Sequence, residues 1–168
     1  MDGSTDWLDP YGKVAMGFIG PWMKQIGGII VGRATYDQSI GMGGWMWGNT
    51  PALVLTSRPI EQGPQTIHVH SGDPGEGLTK LRQRMSEQDL DTDIWLFGGG
   101  VTAGLFLRRN LIDLVELAVV PVALGEGRPL FSGASTQLTF EHASSQPIGM
   151  GCVVNSYRRV VRKAVVKR

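Results

Sequence analysis

The sequence predicts an α/β domain whose parallel sheet gains an antiparallel end, and three observations carry that prediction. Strand-like and helix-like segments alternate through most of the chain, and strands follow one another at its end, the order of a parallel sheet with an antiparallel end. The stretch Ile94-Trp-Leu-Phe-Gly-Gly-Gly-Val-Thr-Ala-Gly-Leu-Phe-Leu107 reads as a buried strand that enters a glycine turn and then a helix. A length of 168 residues suits one domain, 1–168, with a full-sized core.

Taken in order, residues 1 to 10 read as a loop anchored by Trp7 and Leu8. Lys13 to Ile26 carry apolar residues at helical period, with Pro21 predicting one bent helix or two short ones. Gly27-Gly28 are expected to stop that helix, and Ile29 to Val31 to form a short buried strand. Gly32 then opens a second strand-to-helix junction with Arg33 beside the turn. Gly41 to Gly48 hold Trp45 and Trp47 on a glycine-rich segment, either the rim of an apolar pocket or a plug in the core. Pro51 to Leu55 and Thr66 to Val69 read as strands, and a helix runs from about Gly77 to Ser86. Leu111 to Val120, Gln137 to His142 and Cys152 to Val161 are the late strands, the last two antiparallel, with a glycine-rich turn over Pro121 to Pro129.

Composition narrows the functions. The net charge of +1 implies neither a nucleic-acid footprint nor a membrane-attracting surface. The basic run at about 160–168, preceded by Arg158 and Arg159, reads as a solvated tail rather than a binding arm. One cysteine, Cys152, excludes an intrachain disulfide, and no Cys/His cluster has metal spacing. His68 and His70 alternate with Val69 and are expected to face solvent. No charged-then-apolar leader opens the chain and no apolar run reaches spanning length, so a soluble cytoplasmic protein is expected, acting on a small molecule without nucleic acid, membrane or metal.

Three stretches could meet an anion. Gly98 to Gly100 remove every Cβ from a turn at a helix start, where backbone N–H groups and a partial positive charge favour phosphate. Turn chemistry alone also explains such a run, since the dinucleotide spacing G-x-G-x-x-G and the P-loop lysine are both missing. The junction at Gly32 supplies a cation in Arg33. Thr56-Ser-Arg-Pro59 ends its strand with two hydroxyls and a guanidinium, whose planar fork of donors suits phosphate.

With these residues in hand, the chain resembles the dihydrofolate reductase superfamily, in the group that includes the reductase domain of riboflavin biosynthesis. Four blocks carry the resemblance in order: Ile30-Val-Gly-Arg-Ala-Thr-Tyr36, Leu53-Val-Leu-Thr-Ser-Arg-Pro59, Trp95-Leu-Phe-Gly-Gly-Gly-Val-Thr-Ala-Gly-Leu105 and Val120-Pro-Val-Ala-Leu-Gly-Glu-Gly-Arg-Pro-Leu-Phe131. The resemblance implies a dihydrofolate-reductase-like fold, three layers, α-β-α, around a central mixed, mostly parallel sheet, and NADPH as cofactor. It implies that Gly32, Arg33 and Thr35 meet the cofactor phosphates and that Thr56, Ser57 and Arg58 surround the ribose with its 2′-phosphate. Phe97, Gly98, Gly99, Gly100, Val101 and Thr102 would hold the pyrophosphate, in a turn that commonly contains a cis Gly-Gly bond. A homodimer is expected on the same analogy.

Two departures from the family pattern matter. The strand that usually opens such chains, and lies mid-sheet, is not seen at Met1-Asp-Gly-Ser: either the sequence given starts downstream of it, or a rearranged strand or a partner chain is expected to fill its slot. Lys13 to Ile26 contain no carboxylate to support pterin protonation, which argues against folate reduction, and no ribose-phosphate pattern supports the riboflavin precursor. The expected activity is therefore hydride transfer from NADPH to a C=N or C=O bond of a pterin-like or other aromatic molecule. Trp22, Tyr36, Trp45 and Trp47 are the candidates for the substrate pocket. The rival reading is a non-catalytic nucleotide-binding or structural protein on the same scaffold.

Overall fold

A computed structural model describes residues 4–61 and 63–160. A 3₁₀ turn at Asp6–Tyr11 leads into α1 (Gly12–Met23), β1 (Ile26–Gly32), α2 (Arg33–Gly41), β2 (Ala52–Leu55), β3 (Ile67–His70), α3 (Pro74–Ser86), β4 (Asp93–Gly98), α4 (Gly100–Arg108), β5 (Leu114–Val119), β6 (Phe140–Gly149) and β7 (Cys152–Arg159). The end of the last predicted strand at Val161, and the basic tail beyond it, lie outside the described residues.

The strands form a four-stranded sheet in the order β3-β2-β1-β4 and a three-stranded sheet in the order β5-β7-β6. The first is wholly parallel and the second wholly antiparallel. The alternation of strand and helix followed by consecutive strands therefore becomes a mixed α/β fold with the expected division of strand directions. The ladder is interrupted between β4 and β5, which no strand bridges among the described residues.

Residues of β1 and β2 alternate between two cores. Ile30 and Leu53 face Leu78, Leu81 and Met85 of α3 and Phe106 and Leu107 of α4. Val31 and Val54 face Tyr36 of α2, with Trp45, Ile60 and Phe97 packed beside them. Both faces of the parallel sheet are thus covered, which is why Ile29, Ile30, Val31, Leu53 and Val54 are almost fully buried and form unbroken apolar runs.

Several local expectations change. The opening segment holds a 3₁₀ turn rather than an open loop, closed by Leu8 N–H donating to the Thr5 carbonyl at 2.8 Å. Pro21 sits in the last turn of α1, so the helix remains single. Gly27 and Gly28 do not stop it: they lie inside β1, where a Cβ on Gly28 would meet Met85 Sδ at 2.6 Å and one on Gly27 would collide with Thr92. Their bareness serves close packing between β1, α3 and the turn before β4. His70 is buried beneath α3 rather than exposed, with Nε2 2.9 Å from the Asp73 carbonyl oxygen; Val69 faces out. The strand expected at Gln137 to His142 is longer and lies further on, because the Gly149-Met-Gly151 hairpin sets its register against β7. All three hairpin residues have positive φ, 110°, 51° and 76°.

Candidate functional site

Strand register brings the three anion-seeking segments to one edge. Gly32 pairs with Leu55, and Val31 with Gly98, so the C-terminal ends of β2, β1 and β4 lie side by side. Thr56 follows the first, Arg33 the second and Gly99 the third. Two helices start at that edge, α2 at Arg33 and α4 at Gly100, and their N-caps, Gly32 and Gly99, offer no side-chain hydrogen bond. The first N–H groups of each helix therefore have no side-chain partner at the cap, the condition under which a helix start attracts an anion. The Gly98–Gly99 peptide bond is cis, as the resemblance implied.

The bare glycines hold the two helix starts together. A Cβ on Gly32 would strike the Thr102 hydroxyl of α4, and one on Gly99 would come within 3.1 Å of the Thr35 hydroxyl of α2. Thr102 is buried, so its hydroxyl faces β1 and locks α4 in place, while Val101 is 67% exposed beside it. Gly100 has a further role. The segment Pro129 to Ser132 crosses over it, with Ser132 N–H donating to the Gly100 carbonyl at 2.9 Å, and a Cβ on Gly100 or Gly104 would collide with the Pro129 or Ser132 carbonyl. The spacing of four residues puts both glycines on one face of α4 beneath that strap.

The two arginines differ. Arg33 Nε donates to Asp37 Oδ1 at 2.7 Å and Nη1 to the Pro59 carbonyl at 2.9 Å and the Arg58 carbonyl at 3.3 Å. Most of its fork thus ties α2 to the loop after β2. Thr56 shapes the same loop by accepting the Arg58 N–H at 3.0 Å. The Arg58 side chain is exposed and has no ion pair among the described residues, as Ser57 beside it is exposed too. Arg33 thus positions the loop from which the Arg58 charge projects.

Next to the glycine turn lies an aromatic wall. Trp95 and Phe97 alternate with Leu96 and so share one face of β4, with ring centroids 4.6 Å apart. Trp22 of α1 meets Trp95 edge-on at 5.0 Å, and Trp47 meets Trp95 at 5.0 Å and Phe97 at 5.2 Å, also edge-on. Trp22 and Trp47 therefore join one cluster, and Trp95 is a member that the sequence reading had not singled out; its period-two spacing with Phe97 was the available signal. Tyr36 and Trp45 form a separate pair 5.9 Å apart in the core under α2. Trp47 lines the wall while Trp45 plugs the core, so the tryptophan loop does both jobs. Burial pushes the Tyr36 phenol above its ordinary value, opposed by nearby Arg33 and assisted by Asp37. Its hydroxyl has no partner among the described residues, and a phenol held in that way keeps its proton.

One carboxylate reaches α1 from elsewhere. Glu116 of β5 accepts the Trp22 indole N–H on Oε2 at 2.7 Å and the Ser156 hydroxyl on Oε1 at 2.9 Å. Sequence spacing could not have found it, because Glu116 and Trp22 lie 94 residues apart.

Fold and geometry together define a dihydrofolate-reductase-like α/β domain in which two glycine-capped helix starts share a sheet edge beside an aromatic wall. Residues 12–154 match the RibD C-terminal domain family, and the chain belongs to that family. Two Bacillus subtilis (strain 168) proteins of uncharacterised function are related: YwjB, 25% identical with 94% of this chain and 88% of YwjB covered, and YyaP, 25% identical with 90% and 82% covered. A structure from Shewanella sp. PV-4, assigned to riboflavin biosynthesis, superimposes with a TM-score of 0.77 at 25% identity, covering 95% of this chain and 89% of that one. Acinetobacter baumannii RibD superimposes with a TM-score of 0.66 at 18% identity, a likeness of fold in which 96% of this chain spans 54% of RibD. No helix among the described residues is long and apolar enough to cross a membrane.

Proposed function

We propose that this chain is an NADPH-dependent reductase of a small aromatic, pterin-like molecule. The observation that carries the reading is the alignment of Gly32, Thr56 and Gly98-Gly99 at one sheet edge, with two glycine-capped helix starts opening onto it. Those residues fit a dinucleotide. The helix starts offer backbone donors to the pyrophosphate, and the loop held by Arg33 offers Thr56, Ser57 and Arg58 to a ribose 2′-phosphate. Bound there, NADPH supplies the hydride. The protein's part is to orient the substrate ring against the aromatic wall of Trp22, Trp47, Trp95 and Phe97 and to exclude water, leaving a C=N or C=O bond as acceptor.

Titration of the purified protein with NADPH and NADH tests this reading. NADPH binds more tightly, and Arg58→Ala narrows the difference by about 1–3 kcal/mol, the worth of a charge-assisted contact, while leaving NADH affinity unchanged. Equal affinity of the unmutated protein for both nucleotides would overturn the role given to Arg58.

A non-catalytic nucleotide-binding protein is the second reading. It is favoured by the lack of a carboxylate on α1 and by Glu116, whose two oxygens are both engaged by protein donors. NADPH oxidation against pterins, flavin precursors and quinones separates the two: binding without turnover across that panel supports the second.

A further inference from the structure

The glycine turn that opens α4 carries no cation of its own, since Gly98, Gly99, Gly100, Val101 and Thr102 are all neutral. The strap after β5 brings one. A Cβ on Gly104 would collide with the Ser132 carbonyl and approach the Ala134 nitrogen, and one on Gly100 would collide with the Pro129 carbonyl and approach that of Leu130. Strap and helix therefore advance in the same sense, and stepping back along the strap leads toward the helix N-terminus. One residue before Pro129, the chain passes the first turn of α4. That residue is Arg128, which is exposed and forms neither an ion pair nor a side-chain hydrogen bond among the described residues. Pro129 confines the residue before it to extended backbone, so the guanidinium leaves the strap from a restrained position. Glu126, the acid of the same strap, is exposed and does not pair with it.

Helical spacing fixes the side on which the strap runs. At roughly 3.6 residues per turn, Gly100 and Gly104 share one face of α4 and Thr102 stands on the opposite one. The Thr102 hydroxyl abuts Gly32 of β1, so the strap flanks α4 on the side away from β1. The edge then reads, in order, the Arg58 loop after β2, the start of α2 after β1, the start of α4 after β4, and Arg128. β2 and β4 are two strand spacings, about 10 Å, apart. The two arginines without ion pairs thus stand at opposite ends of the edge, with both glycine-capped helix starts between them.

A 2′-phosphorylated dinucleotide carries its charge in two places, a monoester at the adenosine end and a pyrophosphate in the middle. The loop after β2 suits the first. The helix starts offer the second backbone donors but no full counter-charge, because Arg33 is engaged by Asp37 and two carbonyls. We propose that Arg128 supplies that counter-charge, pairing from the strap with the pyrophosphate held at the start of α4. The inference rests on the nucleotide reading and gives the strap a role in binding beyond its packing on Gly100 and Gly104.

Calorimetric titration of the full chain with NADPH and with NADH tests it. Arg128→Gln weakens both nucleotides by the same factor, about tenfold, because the pyrophosphate is common to the two. Arg58→Ala acts on NADPH alone. Arg128→Lys, which keeps the charge, recovers most of the loss at low salt, and both variants melt at the temperature of the unmutated protein. If the unmutated protein binds neither nucleotide, the nucleotide reading falls and this inference with it. If it binds them and Arg128→Gln changes neither affinity by more than twofold, the inference alone falls. A loss confined to NADPH would move Arg128 to the 2′-phosphate and overturn the pyrophosphate pairing. A loss accompanied by a lower melting temperature in both the Gln and the Lys variants would mark a packing role and overturn it too.

Discussion

The start of α3 and the starts of α2 and α4 meet the same need in opposite ways. At α3, Asp73 accepts the Gly75 N–H on Oδ1 at 2.8 Å and the Glu76 N–H at 3.3 Å, Pro74 removes one donor, and Arg109 pairs with the other carboxylate oxygen. At α2 and α4 the caps are glycines, with no side chain to accept a donor. The first arrangement fills a helix start with the protein's own carboxylate and makes it structural. The second leaves the first N–H groups without a side-chain partner, beside a cation-bearing loop at the ends of three parallel strands, the condition under which a helix start attracts an anion. A helix start alone says little; how it is capped separates the two cases.

Making α4 resemble α3 breaks the comparison most sharply. Gly99 has φ −85° and ψ −170°, accessible to any residue, so Gly99→Asp places a carboxylate where Asp73 stands at α3. Calorimetric titration is expected to show NADPH binding weakened more than a hundredfold, on the order of 3–4 kcal/mol for like charges at contact distance, with urea stability lowered by about 1–3 kcal/mol because the new Cβ presses on the Thr35 hydroxyl. Retained affinity would remove α4 from the binding site. Gly104→Ala comes next: pressed against the Ser132 carbonyl, it costs about 1–3 kcal/mol in denaturant unfolding, as overpacking does, because backbone must move. Asp73→Ala is the reciprocal test, lowering stability by about 1 kcal/mol without touching nucleotide affinity.

The smallest effect belongs to Tyr36→Phe, which removes a buried hydroxyl without a partner and leaves stability near neutral within about 1 kcal/mol. Its signature is in the pH profile. Because burial raises the folded-state value above the ordinary 10.0, the neutral phenol's contribution is complete below that pH and is lost as pH rises through the raised value. Thermal melts of the Phe variant therefore fall less steeply above pH 10. NADPH turnover, where measured, stays unchanged if Tyr36 is structural, and a large loss would make it a proton donor.

Much of the architecture was legible because it rests on short-range pattern. Apolar runs at Ile29 to Val31 and Ala52 to Leu55, the glycine turn at Gly98 to Gly100, and the proline and glycine punctuation each dictate a conformation locally. The site was partly legible for the same reason, since residues at strand ends meet automatically once those strands are parallel neighbours. Other features were not. Gly28 looks like a helix stop until Met85 is seen pressing on it, and His70 looks exposed until α3 is placed over β3. Arg33 and Arg58 look equivalent in the sequence. Only the loop geometry shows that one guanidinium is spent on Asp37 and two carbonyls while the other has no ion pair among the described residues.

By itself the sequence determined the elements, their strand-then-helix order and the chemical types held at the ends of β1, β2 and β4, because backbone preference and hydrophobic period are properties of neighbouring residues. Tertiary structure decided which ends converge, which helix starts stay uncapped by side chains and how Glu116 reaches Trp22. Each of those depends on strand register and on contacts between residues far apart in the chain, and no local rule encodes them.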